Sequence, residues 1–139
     1  MNSYTWALSA SVAWGLAAAL EKWGLSDSDA LTGVWLRSIG VLLGAIVMTF
    51  FIPQLSLKVS HMGPRQWTGI LMGGALGSIV GQIFFYRGLK VGEIGRVASV
   101  AGSWPLIAFL LSILFLNETP TLKKILGAIL VVSGVWLLK

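Results

Sequence analysis

The sequence predicts an all-α integral membrane domain of five transmembrane helices, and three observations carry that prediction. The first is composition. Of 139 residues, 56% are hydrophobic and only 11% charged, and the mean hydropathy is +0.85. A soluble domain of this size needs a charged surface that this chain does not carry. The second is that apolar stretches at 4–20, 31–52, 67–86, 96–116 and 121–138 approach the roughly 20 residues that cross a hydrocarbon core of about 30 Å. The third is a ladder of Gly69, Gly73, Gly77 and Gly81 in the third stretch, which places a groove without side chains along one helix face. In water such glycines cost about 1 kcal/mol each relative to alanine. In lipid they let a neighbouring helix approach closely.

The first span, 4–20, carries Ala7, Ser11, Gly15 and Ala19 at the same four-residue spacing and ends at Glu21-Lys22. The stretch before it has no basic residue, so it is expected to be an uncleaved span rather than a signal peptide. Ser26-Asp27-Ser28-Asp29 follows, and Asp29 is placed to cap the next helix. The second span, 31–52, is interrupted by one charge, Arg37, and stops at Pro53. Residues 54–66 are expected to form the longest loop. The glycine-ladder helix, 67–86, closes with Phe84-Phe85-Tyr86, and Arg87 and Lys90 mark its exit into water. The fourth span contains Pro105, which leaves a carbonyl near Ala101 without its helical donor. Asn117-Glu118-Thr119-Pro120 turns the chain. The fifth span begins at Lys123-Lys124, whose stems can snorkel to the interface.

The net charge of +5 belongs to span ends, so it reads as topology and headgroup anchoring rather than nucleic-acid binding. Five spans would put Lys58, Arg65, Lys123 and Lys124 on one side. Lys22, Arg87, Lys90, Arg96 and Lys139 would lie on the other, with Arg37 dipping in from that face. The imbalance that sets orientation is slight: it only weakly prefers a cytoplasmic C-terminus and leaves dual topology open. The chain has no cysteine and a single histidine, His61, in a loop. Disulfides, thiolate metal sites and Cys nucleophiles are excluded, and neither a metal site nor a Ser/His/Asp arrangement is evident. The expectation is of no enzyme, no cofactor and no nucleic acid.

Several runs taken together carry a resemblance: Tyr86-Arg87-Gly88-Leu89-Lys90-Val91-Gly92, Val97-Ala98, Pro105-Leu106, Phe115-Leu116-Asn117-Glu118 and Leu126-Gly127-Ala128. Trp14-Gly15, Lys22-Trp23-Gly24-Leu25 and Leu36-Arg37 agree in the N-terminal half. In this order and spacing the chain resembles the drug/metabolite transporter superfamily, and within it the EamA-like domain in its single-unit, five-span form. Glu21 departs from the pattern, where an apolar or small residue is expected, as does Asn117, where glycine is more usual. The resemblance implies a secondary transporter of the cell inner membrane moving a small metabolite or drug-like solute. Larger relatives resemble two such units fused with opposite insertion, so a single unit is expected to pair with an inverted copy of itself.

Within that frame, Arg37 is the sharpest functional signal. A charge at this depth costs from about 2.5 kcal/mol upward and marks a pathway or an ion pair. It lies on one face with Gly33, Gly40 and Gly44. The alternative is that it snorkels to the interface and pairs with Glu21 for assembly alone. Glu21 is then a gating or coupling candidate by resemblance to the small multidrug resistance transporters, although a helix-end position favours a solvated carboxylate. Trp14 and Trp104 lie near mid-depth, where belt anchoring does not account for them. They are expected either to wall a cavity or to face lipid, with Ser103 beside Trp104. Gln82 and Tyr86 share a face one turn apart and would bond a substrate or another helix, the latter preferred. Glu118 reads as turn chemistry. A lipid-handling or assembly subunit without solute transport fits the glycine ladder as well.

Overall fold

The computed structural model describes residues 2–138, all of whose regular structure is helical. Helix α1, Ser3–Gly24, starts behind Asn2, whose Oδ1 accepts the Thr5 N–H at 2.9 Å. The alanine- and leucine-rich turn before Glu21 has high helical propensity, and no Gly or Pro intervenes until Gly24. The helix therefore continues past Glu21 and Lys22. Glu21 is not a helix-end residue but lies almost a full turn inside α1.

Helix α2, Ala30–Phe51, is capped by Asp29 as expected, its Oδ1 accepting the N–H groups of Leu31 at 2.9 Å and Thr32 at 3.1 Å. It ends where Ile52 adopts an extended conformation before Pro53, since a following proline disfavours helical geometry. The expected loop over 54–66 contains a short helix instead, α3, Leu55–Ser60, entered through Gln54 in a left-handed conformation. Helix α4, Pro64–Ala75, begins three residues earlier than the hydropathy suggested, because Pro64 sits at its first position. The Gln66 side chain also accepts the Gly63 N–H there, at 2.7 Å.

From α4 the chain passes through a π-helical turn, Leu76–Gly81, into α5, Gln82–Val91. Arg87 and Lys90 are thus still helical. Helices α6, Ile94–Ala101, and α7, Trp104–Phe115, are separated by Gly102-Ser103. Pro105 has no N–H to offer the Ala101 carbonyl, and the chain turns there. At Gly102 a Cβ would come within 2.9 Å of the Ala98 carbonyl oxygen, so only glycine fits without movement. Left-handed Asn117 leads to α8, Leu122–Leu137, whose N-terminus is capped by the Thr121 hydroxyl.

Among the described residues, three stretches are long and apolar enough to cross a membrane by length and composition: Ala30–Phe51, Pro64–Val91 and Ile94–Phe115. Helix α8, at 16 residues, spans about 24 Å. The chain divides into two compact units, one of Glu21–Lys90 and one of the residues up to Leu20 with those from Val91 onward. In the first, Leu25, Val34, Tyr86 and Leu89 form a small buried core, and α2 packs against the π turn. In the second, α8 packs along both α6 and α7. Large apolar side chains such as Phe50, Phe51 and Leu137 point outward, the arrangement that suits a hydrocarbon solvent.

Candidate functional site

Four of the residues singled out by sequence meet in the Glu21–Lys90 unit. Arg37, about 10 Å along α2 from its start, donates from Nε to Glu21 Oε1 at 3.0 Å. Gln82, the first residue of α5, donates from Nε2 to Glu21 Oε2 at 3.0 Å. The buried Tyr86, one turn further on, faces the same carboxylate and the Gln82 amide with its hydroxyl. Both carboxylate oxygens are therefore engaged, each by a different helix, as a charge at depth requires. The ion pair is sheltered rather than sealed: the Arg37 side chain is 28% exposed and that of Glu21 18%.

The approach of α2 is set by Gly33, one turn before Arg37. A Cβ there would stand 3.0 Å from the Tyr86 ring and would collide with the Leu25 side chain. The π turn supplies the remaining contact, a long one of 3.5 Å from Arg37 Nη1 to the Ser78 carbonyl. Such turns insert one residue into an α-helix and recur at functional sites. Ser78 and the π turn carried no sequence signal, since a backbone carbonyl has no residue type. The four-glycine spacing itself argued for an uninterrupted helix.

Lys22 and Lys90 do more than anchor to headgroups. Lys22 Nζ donates to the Leu89 carbonyl. Lys90 Nζ donates to the carbonyls of Leu25 at 3.2 Å and Ser26 at 2.8 Å. The Lys22 amine satisfies a carbonyl in the last turn of α5, and the Lys90 amine two carbonyls just past the end of α1, places where cations are favoured. Lys139, counted in the charge balance, lies outside the described residues.

The other substrate-binding candidates, Trp14, Ser103 and Trp104, lie in the second unit. Trp14 and Trp104 pair edge to face, their centroids 6.3 Å apart at 73°, a preferred aromatic geometry; both rings remain more than half exposed. The Ser103 hydroxyl donates to the Val100 carbonyl at 2.6 Å and is used in the helix break. An open groove of about 450 Å³ runs past Trp104, Pro105, Phe109, Ser112, Glu118 and Lys124. Glu118 closes the turn: its N–H donates to the Ser112 carbonyl at 3.1 Å, and its Oε2 accepts from Lys124 Nζ at 3.1 Å. Among the described residues the glycine ladder faces open space: apart from the helix's own backbone and chain neighbours, no atom lies within 4 Å of where a Cβ would sit on Gly69, Gly73 or Gly77, and the π turn carries Gly81 off their common face.

A family model described as the EamA-like transporter family matches residues 1–139. An uncharacterized transporter, sll1164, of Synechocystis is 32% identical over 97 residues, 67% of this chain and 28% of that protein. An uncharacterized transporter, YvbV, of Bacillus subtilis is 26% identical over 136 residues, 94% of this chain and 42% of that protein. An uncharacterized protein, MJ1333.1, of Methanocaldococcus jannaschii is 37% identical over 60 residues, 43% of this chain and 44% of that protein. In each case the match covers less than half of the relative. No solved structure matches the chain significantly.

Proposed function

The chain belongs to the EamA-like transporter family, and from that premise we propose that it is a half-unit of a secondary transporter in the cell inner membrane. It moves a small metabolite or drug-like solute and works as an antiparallel homodimer. The observation that carries this reading is the Glu21–Arg37 pair, 3.0 Å long, supported by Gln82 and Tyr86 among otherwise apolar helices. Ionisable groups at such depth are costly and belong to pathways. An ion pair joining α1 to α2 with a π turn beside it is an element that can open and reclose. In the antiparallel dimer, rocking one copy against the other exposes the solute to each side in turn. The long match to YvbV over only part of that protein supports a functional assembly larger than one such length.

Flux of candidate solutes into proteoliposomes tests the reading. Arg37→Ala, verified as folded, abolishes uptake that the unaltered protein supports; full uptake in that variant removes Arg37 from the mechanism. Reporters active only inside or only outside the cell, fused after the last residue, test the dimer. Signal from both supports dual insertion, and signal from one alone sinks the antiparallel arrangement.

A second reading has its own support. The unpacked faces of Gly69, Gly73 and Gly77 suit close helix association, so a lipid-handling or assembly subunit would use the same surface. That reading predicts oligomers disrupted by Gly73→Leu and no solute flux under any condition.

A further inference from the structure

The Arg37–Glu21 pair is made side-on. Glu21 Oε1 takes the Nε hydrogen, not the two-pronged Nη edge with which arginine usually holds a carboxylate. One Nη1 hydrogen goes to the Ser78 carbonyl at 3.5 Å. Among the described residues nothing accepts from Nη2, and the side chain is 28% exposed. The guanidinium thus keeps a planar, charged edge open, with Glu21 occupying its flank. Glu21 in turn does not depend on Arg37 alone, since Gln82 holds its other oxygen at 3.0 Å and Tyr86 faces it. A carboxylate supported in this way can give up its arginine, because neutral donors remain to hold it.

We propose that the open Nη edge of Arg37 is a binding subsite for an oxyanion, the carboxylate, phosphate or sulfonate group of a solute or lipid headgroup, and that this anion competes with Glu21 for the guanidinium. This rests on the transport reading above and names the substrate class for the same site. Arginine is suited to the task, because its fork matches planar oxyanions and stays charged at any working pH. While Glu21 holds its flank, the guanidinium shares its charge with a carboxylate, and removing that carboxylate leaves the whole cation to the incoming anion. Lys22 on α1 and Lys90 on α5, the other cations of this region, are committed to backbone carbonyls.

The probe is benzenesulfonate, which remains an anion at every working pH, set against neutral benzenesulfonamide of nearly the same shape. Binding is measured by calorimetry on the full chain in phosphatidylcholine nanodiscs at neutral pH. The sulfonate is expected to bind at least tenfold more tightly than the sulfonamide. Glu21→Gln should bind it more tightly than the unaltered protein, whereas Arg37→Gln should lose binding while Tyr86 stays buried by fluorescence quenching. Equal affinity for the two probes, or weaker sulfonate binding in Glu21→Gln, overturns the subsite. A second arm adds phosphatidate to the nanodisc. If it displaces the sulfonate and shows the same opposite response to the two substitutions, the anion is a headgroup; without displacement it is a solute. Flux is scored separately. Sulfonate binding without any solute flux leaves the subsite standing and removes the transport reading, and flux of cations alone does the reverse.

Discussion

Two carboxylate–cation pairs of nearly equal length sit in the two units of this chain, and they differ in nearly everything else. Glu21–Arg37, at 3.0 Å, has side chains 18% and 28% exposed and joins residues of α1 and α2. Glu118–Lys124, at 3.1 Å, has side chains 50% and 45% exposed and spans six residues of one turn. In the first, every carboxylate oxygen has a partner on a different helix; in the second, the amine is one of several ways of closing a turn that Asn117 and the Ser112 carbonyl already define. Distance alone would rank the two as equals. Shelter and connectivity separate them, because a screened pair contributes little while a sheltered charge left alone is costly.

Variants that remove one partner at a time sharpen the contrast. Arg37→Ala should have the largest effect, lowering stability by about 2 kcal/mol, since it leaves Glu21 with neutral donors only; denaturant unfolding in mixed micelles reads it. Adding Glu21→Gln should recover part of the loss, and a double substitution as destabilised as the sum of the two singles would break the comparison. Gly33→Ala comes next, at about 1–2 kcal/mol. Leu25 can swing aside but the buried Tyr86 ring must shift as well, and with it the donor facing Glu21. Lys124→Met should change stability by less than about 1 kcal/mol, and a larger loss would mean that Glu118 does more than close its turn.

The smallest effect is local. The Thr32 hydroxyl first, then the backbone N–H groups of Thr32 and Leu31, hold the Asp29 carboxyl below its ordinary value of 3.8. A depressed carboxyl stabilises above its unfolded value and loses that contribution as pH falls through the lowered folded one. Hydrogen exchange at Leu31 and Thr32 should accordingly rise in acid, whereas Asp29→Asn should be insensitive to pH over that range.

Much of this was legible in the residues because hydrocarbon imposes few solutions. Apolar length, Asp29 at the head of α2, Pro53 behind it and Pro105 beside Gly102 each state a local rule that tertiary context does not override. The pairing of Arg37 with Glu21 was legible as one of two alternatives, since a charge in a span needs either a partner or an exit. The role of Lys22 and Lys90 as caps on each other's helix was not legible, because basic residues at span ends read the same whether they meet phosphate or carbonyl. Nor was the π turn, whose residues Leu76 to Gly81 obey the same four-residue spacing as a regular helix.

That turn makes the site a matter of phase. Leu76–Gly81 holds one residue more than an α-helical path of the same run would, and everything after it is rotated by about 100° relative to α4. Gln82 and Tyr86 reach Glu21 only with that offset. Deleting one residue between Leu76 and Gly81 would leave the helix continuous and its hydropathy nearly unchanged, yet turn both donors away from the carboxylate. A protein that still inserts but no longer gains sulfonate affinity on Glu21→Gln is the expected result. The extra residue, which no side chain announces, sets the angular position of the polar centre much as a single tooth sets the timing of a gear.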